Sequence, residues 1–575
     1  MRRRDVLKLL TAAALSGVVP CIGRAADDLY DIGKFGNARV LHTTDTHAQL
    51  APVYFREPSV NLGVGPMAGK PPHLVGEAFL KHFGIAPGTP AAHAFTYLDF
   101  AEAAHRYGRL GGFAHLKTLI DRLRAEAGAA LLLDGGDLWQ GSGLANAMRG
   151  ADMVEAANLL GIEAMTGHWE FTFGEETVRT NIKNFKGEFL AQNVFLTEEA
   201  AFNDKPAFDP SSGRVFKPAT VKELGGFRIG VIGQAFPYVP VAHPKRFTPD
   251  WTFGIRDAEL QKVADTLRQN DKVDAVILLS HNGMDADLKL ASRVAGIDVI
   301  LGGHTHDAVP QPVAIANAGG KTLVTSAGSA GKFLGVLDLE LAKGAVKNVR
   351  YRLLPVFSGL LQPDPAMQGL IERLRKPHAG AFSETLAVAG DLLYRRGNFN
   401  GTMDQLICDA LRHELEAELV LSPGFRWGNT VLPGEPIAME DLLSQTAISY
   451  PEVYVQEMTG AQIKAIMEDI CDNLFNPDPY YQQGGDMVRI GGLDYACAPA
   501  EGVGRRISDL TLDDGRALDA NKSYKVAGWA SVNAQAGKPV WQVVASYLRG
   551  LKTAKLKKLN RVALKGVANN PGISG

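Results

Sequence analysis

From Ala38 to about Leu341 the chain repeats short, unbroken aliphatic runs: ARVLHTT, AALLLDGG, FRIGVIGQAF, DAVILLSH, DVILGGH, KTLVTSAG and GVLDLEL. Stretches with helical character separate them, and Gly, Ser or Asp follow their ends. Apolar runs without polar alternation suit strands buried on both faces, so the pattern predicts an α/β domain over 36–345 in which helices cover the sheets. Residues 51–107 break the pattern with a Pro-, Gly- and His-containing segment. It is longer than the ~12–15 residues of ordinary loops, which predicts an inserted lid or channel wall without a core of its own. The periodicity weakens over 346–385, read here as a linker carrying one helix. A different texture begins at Leu386, where TMDQLICDALRHEL and TGAQIKAIMEDICDNLF carry apolar residues at i, i+3, i+4 spacing. These predict two amphipathic helices in an α+β domain over 386–565, followed by a flexible tail over 566–575.

Composition narrows the class. The 575 residues are 46% hydrophobic and 21% charged, the balance of folded domains rather than of a disordered chain. Lys+Arg of 60 against Asp+Glu of 62 leaves no sign excess that would select nucleic acid or an acidic membrane. The N-terminus, MRRRDVLKLLTAAALSGVVPCIGRAAD, joins basic residues to an apolar stretch too short for a ~20-residue span, as a secretory signal over 1–25 does. Arg2, Arg3 and Arg4 before Asp-Val-Leu-Lys resemble the twin-arginine export motif, which implies a periplasmic protein free of the membrane in its mature form. Removing that segment takes away a net +4 and shifts the formal charge from −2 to −6. Cys21 would leave with it. Cys408, Cys471 and Cys497 remain, an odd number whose pairing spacing does not decide.

The chemistry gathers where the aliphatic runs end. Asp45 and His47 follow ARVLHTT, Asp137 follows LLLDGG, His168 lies in MTGHWEF, His281 follows VILLS, and His304 and His306 lie in LGGHTHD. In open α/β sheets the ligand crevice lies beyond the carboxyl ends of the strands, where these seven side chains would meet. Histidine and carboxylate without cysteine suit Mn²⁺, Zn²⁺ or Fe²⁺. Seven ligands exceed what one open catalytic ion needs and fit two ions bridged by one carboxylate, for which Asp137 is the candidate. Singly, an Asp-x-His or a Gly-Gly-Asp turn is weak; the ordered set is not.

Asp45-Thr46-His47, Gly136-Asp137, Gly167-His168-Trp169-Glu170, His281 and Gly303-His304-Thr305-His306 resemble the calcineurin-like metallophosphoesterases, specifically the two-domain 5′-nucleotidase group. The resemblance implies a four-layer αββα catalytic domain followed by a 5′-nucleotidase-type C-terminal substrate domain. It also implies that Asp45, His47, Asp137 and His306 hold one metal while Asp137, His168, His281 and His304 hold the other. It favours manganese over zinc.

Two departures are informative. Nucleotidases of the group read Gly-Asn-His-Glu-x-Asp, with a His-x-x-Asp dyad beside the leaving group; here the positions are His168, Trp169 and Thr172. Histidine can replace asparagine as a ligand, but an indole cannot serve as general acid. In the C-terminal domain nucleotidases close on the base with an aromatic and a Gly-Gly-Asp loop; the corresponding stretch here, WASVNAQAGKPVW over 529–541, lacks that loop. GHWEFT together with GGDMVR resembles the SoxB-type thiosulfohydrolase branch. That branch implies hydrolysis of a cysteine S-thiosulfonate on a mobile arm of a SoxYZ carrier, with sulfate as product. A thiosulfonate offers a tetrahedral anion that two metals could clamp while delivering hydroxide, and its sulfide-type leaving group, with a pKa near or below the ~8.5 of a thiol, departs without a general acid.

Trp169 would then wall the sulfur pocket. Arg109, in YGRLGG, is a candidate to bind a sulfonate oxygen, and Arg426, in SPGFRWGN, resembles the family's substrate-binding Gly-x-Arg. The hydroxyls of Tyr480 and Tyr481 are further candidates. The competing readings are a periplasmic nucleotidase or other phosphoesterase, disfavoured by the missing dyad, and a non-catalytic metal-bearing protein, disfavoured by the complete ligand set.

Overall fold

The structure, a computed structural model, describes residues 29–533 and 536–573; the expected export signal over 1–25 lies outside them. The aliphatic runs form two six-stranded sheets. The first has the order Ala345–Pro355, Phe333–Ala342, Ala38–Thr43, Ala130–Asp134, Ala164–Met165, Glu188–Phe189, and the second Val313–Asn317, Gly320–Ser326, Val299–Gly302, Ala275–Ser280, Phe227–Gln234, Ala219–Leu224. Their inner faces meet through Val40, Leu131, Leu133 and Leu337 on one side and Val231, Ile277, Leu279 and Leu301 on the other. The alternate residues face helices: Leu41 and Leu132 pack with the helices Phe113–Ala127 and Ala151–Leu160, and Val276 and Leu278 with Asp257–Gln269 and Met284–Arg293. The domain is thus an αββα sandwich, and burial on both faces explains the lack of polar alternation.

Register decides where the chemistry lands. The parallel pairs place Thr43 opposite Asp134, Asp134 opposite Met165, and Ser280 opposite Gln234 and Gly302. All these strands therefore end level, and the loops carrying the seven candidate ligands leave from one edge.

The structure corrects the expectations for the linker and the tail. The stretch 346–385 is not a free linker: Ala345–Pro355 is an edge strand hairpinned to Phe333–Ala342, and Met367, Ile371 and Leu374 of the helix Pro365–Arg375 sit in the first domain's core. Their i, i+4, i+7 spacing gives that helix an apolar face that needs cover. The insertion 51–107 shares its core with the first domain: helices Gly76–Phe83 and Pro90–Phe95 bury Phe79 and Phe95 with Phe333 and Phe357. The tail is docked through Ile573, which bridges Val60, while Asn61 N–H donates to the Gly572 carbonyl at 2.8 Å.

The second domain holds a mixed sheet in the order Val453–Thr459, Ser523–Trp529, Leu419–Ser422, Arg489–Gly491. Both predicted amphipathic helices are present, Thr402–Glu414 and Gly460–Phe475, the latter capped by Thr459, whose hydroxyl accepts from Gln462 N–H at 3.2 Å. Cys408, Cys471 and Cys497 are free and buried, with the sulfurs of Cys471 and Cys497 3.7 Å apart. Among the described residues no helix is long and apolar enough to cross a membrane.

Candidate metal centre

The seven ligands meet in two groups that share one residue: Asp45, His47, Asp137 and His306, and Asp137, His168, His281 and His304. In each group the ligand atoms lie within 4.8 Å of one another, and every residue is buried. One oxygen of Asp137 is 3.1 Å from His281 Nε2, 3.3 Å from His168 Nδ1 and 3.5 Å from His47 Nε2, the position of a bridging carboxylate. Its other oxygen accepts from Trp169 N–H at 2.7 Å, which fixes the carboxylate plane.

The backbone is bent to reach this arrangement. Asp45, His47, Asp137, His304 and His306 all have φ between 45° and 75°, a region costly for side chains larger than glycine. Surrounding contacts hold them there. Both oxygens of Asp45 receive His304 N–H, at 2.9 and 3.0 Å, and Thr44 Oγ1–H donates to one of them at 2.6 Å. Gly303 makes the approach possible, because a Cβ there would stand 2.3 Å from Thr44 Oγ1.

Glu170 carries no assigned role in the sequence motif, and the structure supplies one. Its carboxylate accepts from Leu138 N–H and His168 N–H at 2.7 Å, Trp139 N–H at 3.1 Å and Asp137 N–H at 3.3 Å. One buried anion therefore ties the Asp137 loop to the His168 loop. A carboxylate needing partners two residues from a ligand was the available signal.

The donor set fits a pair of cations. Nδ1 of His281 lies 2.6 Å from the Gly135 carbonyl and Nδ1 of His47 3.1 Å from the Gln140 carbonyl. A carbonyl only accepts, so each Nδ1 carries the proton and leaves Nε2 free for a metal. Ring nitrogens of His168, His281, His304 and His306 are buried without a hydrogen-bond partner, which leaves them as donors that a cation would satisfy. Burial lowers His47 and His168 to about 4, and holds His304 and His306 well below the usual imidazole range, so these rings are neutral donors. His281 is the exception: burial lowers it, but the Asp137 and Asp45 carboxylates outweigh this and carry it up to about 10. That proton would be displaced on metal binding.

A cavity of about 160 Å³ opens onto the ligands. His47, Asp137, His168, His304 and His306 form its floor; Trp169, Phe236, Phe425, Arg426, Trp427 and Gly484 are among its walls. Trp169 is packed edge-on to Trp427, Phe425 and His243 at ring separations of 4.8, 5.2 and 4.4 Å, and Phe425 stacks on Trp427 at 4.2 Å. The expected aromatic wall is present, and its partners from 425–427 were not foreseen. Thr172 points to the second domain, its hydroxyl 2.5 Å from that of Ser449. Gly484, from GGDMVR, has φ +97°, and a Cβ there would stand 2.9 Å from His304 Nε2.

Arg426 faces the cavity as expected, donating to the carbonyls of His304 at 3.3 Å and Gly485 at 2.7 Å with Asp486 3.5 Å away. Arg396, missed in the sequence, lines the adjoining cavity and donates to the Thr305 carbonyl at 2.9 Å. Arg109 does not reach the Asp/His cluster: it is exposed, its guanidinium 4.9 Å above the Tyr54 ring, in a separate cleft with Arg375, Glu440 and Asp441. The turn at Gly111 and Gly112 separates it from the helix Phe113–Ala127. Tyr480 also lies elsewhere, its ring 4.1 Å from Lys289 Nζ, and Tyr481 is 60% exposed. No residue of 51–107 lines the metal cavity; Asn61, Leu62, Pro72 and His73 border the adjoining one.

Comparison with known proteins agrees with this geometry. The calcineurin-like phosphoesterase family matches residues 38–308 and the 5′-nucleotidase C-terminal domain matches 386–544. The sulfate thiohydrolase SoxB of Thermus thermophilus superposes with a TM-score of 0.86 at 38% identity, over 93% of this chain and 98% of that one. The chain belongs to this family as a SoxB-type member. A 5′-nucleotidase precursor, also from Thermus thermophilus, shares the fold, with a TM-score of 0.71 at 22% identity over 92% of this chain and 99% of that one. Among curated proteins, the 5′-nucleotidase of Diplobatis ommata is 28% identical over 52% of this chain and 53% of its own length. The chain thus spans about half the length of several 5′-nucleotidases that it matches. The SoxB-type member is a metallophosphoesterase-family hydrolase whose buried Asp/His cluster could hold two metal ions.

Proposed function

We propose that the protein is a thiosulfohydrolase that releases sulfate from a cysteine S-thiosulfonate carried by a SoxYZ-type sulfur-carrier protein in the periplasm. The observation that carries this reading is a complete seven-ligand site walled by Trp169, Phe425 and Trp427 where a nucleotidase needs a proton-donating dyad. Likeness to the Thermus sulfate thiohydrolase supports it.

Asp45, His47, Asp137 and His306 would hold one divalent ion and Asp137, His168, His281 and His304 the other, with manganese favoured. Such a pair supplies Lewis-acid polarisation of the sulfonate and lowers the pKa of water. The chain's own groups do the rest. Arg426 presents a guanidinium at the cavity wall, suited to a sulfonate oxygen. Trp169 and Trp427 exclude water from the sulfur end and offer no proton. None is needed, because a sulfide-type leaving group with a pKa near or below ~8.5 departs as the anion. An alkoxide does not, which disfavours nucleotides. Phe425 and Trp427 are already stacked on each other, leaving no gap between them for a base.

The test is sulfate release from a carrier-borne thiosulfonate measured beside phosphate release from AMP. The proposal expects the first to exceed the second by orders of magnitude; comparable rates would make the protein a phosphoesterase.

A further inference from the structure

We propose that the insertion and the C-terminal tail form a clamp that fixes the two domains at one separation. The cavity at their junction would then keep one fixed shape. The insertion is rooted in the first domain. Lys332, fully buried, donates from Nζ to Glu57 Oε1 at 2.5 Å and to the carbonyls of Ala94 and Phe55 at 3.0 and 3.1 Å. Phe79 and Phe95 pack beside it against Phe333. A buried ammonium stripped of these acceptors would be unpaired, so this root resists separation.

The same segment is built into the second domain. Tyr54 O accepts from Thr430 N–H at 2.7 Å, and Thr430 Oγ1 accepts from Arg56 N–H at 3.0 Å. The Arg56 guanidinium sits 4.0 Å from the Tyr394 ring centre and 4.8 Å from that of Tyr97, bridging the two sides. Further along the segment, Val60 O accepts from Asn398 N–H at 3.1 Å and Leu62 N–H donates to Asn398 Oδ1 at 2.7 Å. Leu62 and Val64 are buried in the second domain's core with Leu421, Phe475 and Met487.

The tail closes the clamp from the other end of the chain. Gly572 O accepts from Asn61 N–H at 2.8 Å, Pro571 O accepts from Val75 N–H at 3.0 Å, and Ile573 bridges Val60. Opening the interdomain cleft would break backbone pairs and expose apolar side chains at the same time. That cooperative cost makes a fixed spacing the stable arrangement.

The test is the distribution of distances between spin labels on Lys321→Cys in the first domain and Asp514→Cys in the second, both exposed sites, in full-length metal-loaded protein. Cys408, Cys471 and Cys497 are buried, and Cys21 is changed to Ser in every sample so that it takes no label. One narrow distribution is expected in the parent. A chain stopped after Val567, and separately an Arg56→Met, Thr430→Val variant, should each broaden it at least twofold while circular dichroism stays native. Two or more distances in the parent would overturn the proposal, and so would an unchanged narrow distribution in every variant that folds. If the truncated chain does not fold, the double variant decides. The readout uses neither substrate nor turnover, so it stands or falls apart from the thiosulfohydrolase reading.

Discussion

Trp427 stacks on His47, ring centres 4.9 Å apart and planes 24° from parallel, so an aromatic of the second domain lies on a candidate metal ligand of the first. The same indole meets Trp169 at 4.8 Å. Docking of the second domain therefore shapes the cavity directly, and changes at 425–427 should act on chemistry performed by residues far earlier in the chain.

Replacing Asp137 with alanine should empty both metal sites, because its carboxylate is the only group shared by the two clusters. His306→Ala should deplete one site and spare the other. Elemental analysis of the purified variants decides; an Asp137→Ala protein retaining two ions would refute the bridge.

Glu170→Gln should weaken metal binding by roughly 10–100-fold, the range seen when groups that orient ligands are altered. Its amide would turn an NH₂ toward backbone N–H donors that now meet a carboxylate oxygen. Competition with a chelator measures this, with Glu170→Asp as a partial rescue.

Installing the dyad with His168→Asn, Trp169→His and Thr172→Asp should raise phosphate-monoester hydrolysis above the parent, since a general acid for an alkoxide returns. Trp169 is buried, so the change should also destabilise the protein, by up to about 3–5 kcal/mol if the site does not collapse. AMP hydrolysis and thermal melting on the same sample separate the two effects. No gain on AMP in a folded variant would show that the missing dyad is not what bars nucleotides.

His73, on the insertion, has Nε2 3.0 Å from a carboxylate oxygen of Asp285 on the helix Met284–Arg293. Burial lowers its pKa, but Asp285, and beyond it Asp307, outweigh this and hold it above the ordinary value. A raised folded-state pKa stabilises fully below the unfolded value of ~6.5, and the contribution fades as pH climbs through the folded value. The difference in melting temperature between the parent and His73→Gln should therefore be largest near pH 6 and shrink in alkali. A difference that grows with pH would reverse the assignment.

Much of the centre was legible because each ligand is local to a strand end. An aliphatic run specifies a buried strand, a glycine or polar residue ends it, and parallel strands ending level bring Asp45, Asp137, His281 and His304 to one edge whatever else the chain does. Both amphipathic helices of the second domain follow from periodicity in the same way. The segment 346–385 was not legible, because one apolar face at i, i+4, i+7 does not say which domain it covers, and Met367, Ile371 and Leu374 cover the first.

What the sequence by itself determined was the layered α/β fold, the seven Asp and His residues that could hold metal and the absence of a proton donor at position 169. Those depend on residue type and on neighbours within a few positions. Only the tertiary structure decided that Phe425 and Trp427 complete the aromatic wall, that Arg426 faces the Asp/His cluster while Arg109 and Tyr480 do not, and that Glu170 ties the Asp137 and His168 loops together. It also placed the insertion and tail across both domains. These are contacts between segments tens to hundreds of residues apart, set by how two separately formed cores pack, and local pattern carries no information on that packing.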